Sequence, residues 1–191
     1  MSMYAQNAQG SLCDWVFSGS LERFPDITIA YAESQVGWMP FQLERMDAVW
    51  RDGRGDVDHV KTLPSEQVKG RVYGCVFDDL HGLINRDAVG TDHILWETDY
   101  PHSDGTWPNA PEEVIKTLAG CTDEQINKIT HLNAMRNYSF DPFAHIPREQ
   151  CTVGALRAQA DDKRLELVPG EEGRLGLRYK LAGLVPVPLG V

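Results

Sequence analysis

Apolar and polar residues follow one another along the chain with two different periods, one helical and one extended. Three short runs rich in β-branched and apolar residues have the length of β-strands: residues 27–33, 71–77 and 92–99. Apolar residues at helical spacing mark five further segments, at 11–24, 36–50, 78–90, 110–120 and 122–140. The first segment has Ser11 as its predicted N-cap, and the last opens with the capping sequence at 122–125.

The order of these segments is α-β-α-β-α-β-α-α. Strands that alternate with helices are joined by crossovers and lie parallel, and near-continuous apolar strands fit a sheet that helices cover on both faces. The sequence therefore predicts the α/β class, with parallel strands and flanking helices. Pro40 falls in the first turn of the second helix, and Gly90 is placed to end the third.

Two polar stretches interrupt this pattern. Residues 51–69 are rich in Gly and Asp, and they are predicted to form a loop. From Asp161 onward the chain carries several Gly and Pro residues with little periodicity. We therefore expect residues 1–160 to form the folded domain and residues 161–191 to form an irregular tail, with a short hairpin around Pro169-Gly170.

The composition narrows the possible partners. The formal charge is −10, with 42% hydrophobic and 24% charged residues, which is ordinary for a soluble globular protein. Nucleic acids and anionic membranes both require a basic surface, so neither is expected as a partner. No apolar run approaches the roughly 18 residues of a membrane span, and the start does not resemble a signal peptide. The four cysteines are widely spaced, and we expect them to be reduced and mostly buried in a cytoplasmic protein.

Side chains capable of chemistry follow each predicted strand. Glu33 closes the first strand, Asp78 and Asp79 follow the second, and Asp99 and His102 follow the third. Ligands of parallel α/β folds bind at the carboxyl ends of the strands, so these residues form the candidate site. Carboxylate and imidazole groups together suit a divalent metal such as zinc or manganese, and they also suit general acid–base catalysis.

Each candidate also has a purely structural explanation. Asp99 before Tyr-Pro is a common turn starter, and His102 is also explained as an ordinary loop histidine. Asp78 and Asp79 precede a helix, where N-capping is the default role. For Glu33, a simple hydrogen-bonding role and a role in the site are equally open. A magnesium site for phosphoryl transfer, using the three aspartates, is a weaker hypothesis because the chain has no phosphate-binding loop.

The segment LWETDYPHSDGTWP, at residues 95–108, resembles the eighth-strand region of the amidohydrolase-related metal-dependent hydrolases. That group includes the aminocarboxymuconate-semialdehyde decarboxylase type. Residues 11–50 resemble the fifth helix and sixth strand of the group, and residues 70–79 resemble its seventh strand. Residues 133–143 resemble its closing helix, and residues 147–160 are similar to the end of many members.

This resemblance implies strands six to eight of a TIM-type (β/α)₈ barrel with a divalent metal at the strand ends, zinc before manganese. It also implies hydrolysis or non-oxidative decarboxylation of a small carboxylated or carbon–nitrogen-bonded substrate. In the family, the aspartate of the eighth strand binds the metal or accepts a proton from the water that the metal activates, and Asp99 matches that position. Glu33 and His102 are the other expected catalytic residues.

The chain departs from the family in its metal ligands. The first-strand His-x-His pair and the fifth-strand histidine have no counterpart, and Glu33 stands where many members have a histidine. We therefore expect this chain to be the C-terminal part of a longer enzyme. Alone, it is expected to be weakly active or inactive, and to bind no metal if Asp99 is its one metal ligand. The alternative is a non-catalytic remnant, or an interaction module that pairs with a chain supplying the missing strands. Unpaired strand edges also favour self-association into homo-oligomers.

Overall fold

The computed structural model describes residues 3–53, 57–102, 105–107 and 109–159. The chain divides into two compact units, of which the first comprises residues 1–97 and 115–140. The second comprises residues 98–114 and 141–191. The expected tail at 161–191, its hairpin around Pro169-Gly170 and the domain boundary at residue 160 all lie outside the described residues.

The first unit contains a three-stranded parallel sheet. Its strands are β1 (Ile29–Tyr31), β2 (Val72–Val76) and β3 (Ile94–Trp96), which lie in chain order with β2 in the centre. Ile29 is in register with Val72, and Gly74 is in register with Ile94. The parallel α/β arrangement is thus confirmed. The outer strands are shorter than the apolar runs that predicted them, because the ladders with β2 cover only three residues of each.

Helices alternate with the strands. In chain order they are α1 (Tyr4–Phe17), α2 (Ser20–Arg23), α3 (Met39–Arg51), α4 (Pro64–Val68), α5 (Leu80–Ile84) and α6 (Arg86–Val89). Pro40 lies in the first turn of α3, as predicted, and Gly90 ends α6 with a φ of 88°. The segment 78–90 forms two helices rather than one, because Asn85 leaves the helical conformation between them.

Further helical segments follow β3. They are α7 (Ala110–Thr117), α8 (Asp123–Asn127), a π-helical turn (Lys128–Leu132), α9 (Asn133–Tyr138) and α10 (Val153–Gln159). The predicted capped start of α8 is confirmed. The Thr122 hydroxyl accepts a hydrogen bond from the Gln125 N–H, and the Gln125 side chain accepts one from the Thr122 N–H.

Two local predictions are wrong. Ser11 does not cap a helix, because α1 already begins at Tyr4, and the Ser11 hydroxyl instead accepts a hydrogen bond from the Tyr31 hydroxyl. The stretch 51–69 is not all loop, because it contains α4, in which Gln67 and Val68 are buried. A five-residue helix with so few apolar side chains gives too weak a period to be recognised in the sequence.

The sheet is buried unevenly. β2 is buried along its whole length, whereas every residue of β1 is half-buried. On one face, Tyr73, Cys75 and Leu95 form a buried cluster against which Ala30 and Ala134 pack. Close packing holds the central strand in place, so the residues at the carboxyl ends of the strands start from fixed positions.

The cysteines are free, but the expectation that most are buried is wrong. Cys75 is buried in the sheet, whereas Cys13, Cys121 and Cys151 are half-buried, because they lie on helices or turns near the surface. In the part of the chain that the structure describes, no helix has both the length and the apolar character needed to cross a bilayer.

Candidate functional site

Acidic residues lie at the carboxyl ends of all three strands of the first unit. Glu33 is two residues beyond β1, Asp78 and Asp79 follow β2 after the buried Phe77, and Glu97 directly follows β3. The carboxyl ends of parallel strands lie at one edge of a sheet, so the sheet carries these acids on the edge that the sequence indicated.

Glu33 has a left-handed backbone conformation, with a φ of 56°. Its N–H donates a hydrogen bond of 2.8 Å to the Glu97 carboxylate, which joins the ends of the two outer strands. The residue is half-buried and borders a cavity of about 400 Å³ between α1 and the end of β1. A residue with a side chain seldom adopts this conformation, and such strain is found most often at functional sites.

Asp79 has the structural role that its position predicts. One carboxylate oxygen accepts hydrogen bonds from the N–H groups of Val36, at 2.7 Å, and Gly37, at 2.6 Å. The other oxygen accepts one from Gly82 at 2.8 Å and caps α5. These three bonds occupy the Asp79 carboxylate, which disfavours the hypothesis of a magnesium site built from Asp78, Asp79 and Asp99.

Two neutral groups lie near Glu97. Burial raises the pKa of the Cys75 thiol to about 12, helped by the charge of Glu97 and a hydrogen bond to it. The pKa of the Tyr138 phenol is also raised, first by burial and then by the charges of Cys75 and Glu97. Both groups therefore keep their protons at neutral pH, and Cys75 is not a thiolate nucleophile.

In the second unit, the structure brings Asp99 and His102 together. The Nδ1–H of His102 donates to the Asp99 carboxylate at 2.8 Å, and the His102 N–H donates to the Asp99 carbonyl, also at 2.8 Å. The Asp99 side chain is 10% exposed and the His102 side chain is 69% exposed. With Nδ1 as the donor, Nε2 is the nitrogen that accepts a proton or binds a metal.

Backbone hydrogen bonds close the loop that carries this pair. The Thr106 N–H donates to the Thr98 carbonyl at 2.9 Å, and the Gly105 N–H donates to the His102 carbonyl at 3.3 Å. A Cβ atom on Gly105 would clash with the carbonyl oxygens of Thr98 and Asp99. Only glycine therefore permits this loop to close around Asp99, which itself has a left-handed φ of 53°.

The structure thus distributes the predicted site residues over both units. Asp99 and His102 form a pair within the second unit, and Glu33 lies at the end of β1 in the first. The sequence prediction missed Glu97, which holds the backbone of Glu33. The sequence pattern did indicate Glu97, because it follows an apolar strand as the other candidate acids do. The acid predicted for the end of this strand was instead Asp99, two residues later.

Comparison with known families accounts for most of the chain. The amidohydrolase family model matches residues 3–140, which is more than half of the sequence and includes Glu33, Glu97, Asp99 and His102. Members of this family commonly bind divalent metals and act on small molecules as hydrolases. On the strength of this match, the chain belongs to the amidohydrolase family.

Proposed function

We propose that this chain carries part of the metal and proton-transfer site of an amidohydrolase-related hydrolase or decarboxylase. Asp99 is the proposed metal ligand, and Asp99, Glu33 and His102 are the proposed catalytic residues. The observation that carries the proposal is the Asp99–His102 pair, 2.8 Å apart, directly after the third strand of a chain in this family. The aminocarboxymuconate-semialdehyde decarboxylase type is the subgroup proposed, from the resemblance of residues 95–108.

The three strands are proposed to correspond to strands six, seven and eight of a (β/α)₈ barrel. Their parallel order, β1-β2-β3 in chain order with helices between them, supports this assignment. In such barrels the catalytic groups come from the carboxyl ends of several strands, which is where Glu33, Glu97 and Asp99 stand in the sequence.

The donor set of the second unit fits a divalent metal in its chemical type. Asp99 offers a carboxylate oxygen, which zinc and manganese both accept as a ligand. Zinc is the first choice and manganese the second. When bound, such a metal supplies Lewis acidity that polarises a carbonyl or carboxylate of the substrate. A catalytic zinc takes three protein ligands, so Asp99 requires at least two further donors.

The chain's own residues then hold and move protons. Asp99 keeps the His102 imidazole in one orientation through the 2.8 Å hydrogen bond, so that Nε2 can accept or deliver a proton. Glu33 is the second proposed proton carrier, and it borders the cavity of about 400 Å³ in the first unit. The substrate class is a small carboxylated or carbon–nitrogen-bonded molecule, handled by hydrolysis or by decarboxylation.

A zinc titration by calorimetry tests the metal assignment. We expect His102→Ala to weaken zinc binding about ten-fold or more, because it removes the hydrogen-bond partner that orients Asp99. The matched control is His145→Ala, which removes an exposed imidazole elsewhere in the second unit. Equal zinc affinities of the wild type and both variants would refute a role for His102.

The isolated chain is expected to turn over substrate slowly or not at all, because its sequence offers no His-x-His pair to complete the ligand set. Assays with added zinc or manganese, over a panel of small carboxylated substrates, measure this directly. Turnover that persists at high dilution would contradict the expectation, because dilution separates any self-associated chains.

The alternative function is a non-catalytic remnant or an interaction module. The observation that favours it is the outer edge of β1, which has no strand partner among the described residues. Unpaired edges recruit further strands, from another chain or from a second copy. Co-purification with a chain that carries His-x-His after an amino-terminal strand would favour this alternative, and light scattering would reveal homo-oligomers. A cytoplasmic location stays a prediction, which cell fractionation would test.

A further inference from the structure

The loop between β1 and α3, at residues 32–38, is strained and held from within. Two of its residues, Glu33 and Gln35, have left-handed φ values of 56° and 59°. The Ser34 hydroxyl lies 3.0 Å from the carbonyls of Tyr31 and Gln35, and the Trp38 indole N–H donates to the carbonyls of Ser34 and Gln35. Strained backbone of this kind persists only where surrounding contacts fix it.

Carboxylates from the two neighbouring strands also fix this loop, one at each end. Asp79, after β2, accepts the N–H groups of Val36 and Gly37 where the loop enters α3. Glu97, after β3, accepts the N–H of Glu33 at 2.8 Å where the loop leaves β1. Asp79 has a further structural task in capping α5, whereas the Glu97 bond reaches the backbone of a proposed catalytic residue.

The surroundings of Glu97 strengthen this hydrogen bond. A charged acceptor binds an N–H group about twice as strongly as a neutral one, and water is partly excluded here because the bond is part-buried. The Cys75 thiol, whose pKa is raised to about 12 first by its own burial, also makes a hydrogen bond with Glu97. Glu97 is therefore suited to hold Glu33 in a conformation that Glu33 would not adopt alone.

We propose that Glu97 is a positioning residue: its carboxylate fixes the left-handed backbone of Glu33 and thereby directs the Glu33 side chain for proton transfer. The proton-transfer role of Glu33 rests on the proposed function. The hydrogen bond from the Glu33 N–H to the Glu97 carboxylate does not. Glu97 acts through Glu33, and it needs no contact with substrate or metal. It adds the acid that follows β3 to the residues of the proposed site.

Two substitutions of Glu97 separate the effect of its hydrogen bond from the effect of a side chain that only fills the same space. Glu97→Ala removes the acceptor and leaves the Glu33 N–H without this partner. Glu97→Gln keeps an oxygen at the same reach, so it retains a weaker bond to the same N–H. The matched control is Glu22→Ala, which removes another carboxylate that accepts backbone N–H groups, those of Lys61 and Thr62, on a different loop of the same unit.

The experiment is nuclear magnetic resonance on the full chain, with zinc calorimetry on the same samples. Amide exchange at Glu33 and the χ1 coupling constants of its side chain report the conformation directly. We expect Glu97→Ala to speed exchange at Glu33 about ten-fold or more and to average its χ1 coupling. Glu97→Gln should restore both readouts to within about three-fold of the wild type, and Glu22→Ala should change neither.

Zinc affinity tests a different role for Glu97. A ten- to hundred-fold loss of zinc affinity in Glu97→Ala would contradict positioning, because it would make Glu97 itself a metal ligand. Exchange and coupling at Glu33 that match the Glu22→Ala control would overturn the proposal. If the wild type binds no zinc, the proposed function fails, and the Glu33 readouts alone decide whether Glu97 holds that residue.

Discussion

Two loops of the first unit are held by carboxylates, but only one of them is strained. Glu22 accepts the N–H of Lys61 at 2.9 Å and that of Thr62 at 2.5 Å, while Glu97 and Asp79 hold residues 33–37 in a similar way. The loop held by Glu22 contains no described non-glycine residue with a left-handed φ, whereas Glu33 and Gln35 both have one.

The difference between these loops indicates where the chain accepts local strain. Glu22 holds an exposed turn away from the carboxyl ends of the strands: burial raises its pKa, but the N–H groups of Thr62 and Lys61 lower it on balance. The other loop lies at the carboxyl end of β1, where catalytic groups are found in parallel α/β folds. Strain that a stable sheet supports is typical of sites where conformation serves function.

The largest expected effect comes from removing the carboxylate that holds the strained loop most firmly. Asp79→Ala leaves three part-buried N–H groups without their charged acceptor, those of Val36, Gly37 and Gly82. We expect the free energy of unfolding to fall by ~4 kcal/mol, measured by urea denaturation.

Asp79→Asn provides the control, because its single amide oxygen can serve either the N–H groups of Val36 and Gly37 or that of Gly82 in α5, but not both. Its expected loss is about half as large. If Asp79→Ala and the surface variant Glu22→Ala cost the same, the two loops would be equivalent, and the contrast between them would be wrong.

The free energy of unfolding should also depend on pH, through the buried thiol of Cys75. Its pKa is raised from 9.0 to about 12 in the folded chain, so the folded state keeps a proton that the unfolded state loses. The protonated thiol therefore adds to the free energy of unfolding. This stabilisation is fully present below pH 9 and is lost at ~1.4 kcal/mol per pH unit as the pH rises toward 12. Urea denaturation between pH 8 and about 10 measures the slope, and Cys75→Ala should flatten it. Parallel slopes in the two proteins would rule out Cys75 as the titrating group.

A smaller effect is expected where the loop packs on the central strand. A Cβ atom on Gly74 of β2 would clash with the Val36 side chain and lie 3.1 Å from the Gln35 carbonyl. We expect Gly74→Ala to cost ~2 kcal/mol in thermal or urea denaturation. Gly10→Ala is the matched control, because nothing lies within 4 Å of its Cβ position on α1, and it should stabilise the chain by ~1 kcal/mol. A neutral Gly74→Ala would mean that the loop yields easily.

Much of the fold was accessible from the sequence because the relevant signals are local. The three apolar runs became the three strands, and the caps at Thr122 and Asp79 were recognisable from residue type and position. The family followed from several motifs in order, a set that is specific as a whole, whereas the segment ETDYPH alone is only moderately specific. The helix α4 was missed because its buried face consists of Pro64, Gln67 and Val68, which give no clear apolar period.

The role of Glu97 was not accessible in the same way. It depends on the Glu33 N–H pointing toward β3, which requires a left-handed φ that a residue with a side chain adopts only in a few per cent of cases. Nothing in the local sequence indicates that conformation, because the Glu97 carboxylate that holds it lies 64 positions later along the chain. Topology placed the acids at one edge, but tertiary contacts decided what each of them does.

The most direct test of the central claim, that Asp99 binds a divalent metal, is metal content by mass spectrometry. The chain, its Asp99→Ala variant and the exposed-aspartate control Asp26→Ala would be loaded with zinc or manganese, desalted and measured. Because the ligand set is incomplete, the account predicts weakly held metal, well below one equivalent, in the wild type and in Asp26→Ala, and a loss of most of it in Asp99→Ala. Equal metal in all three proteins, or none in the wild type, would contradict it.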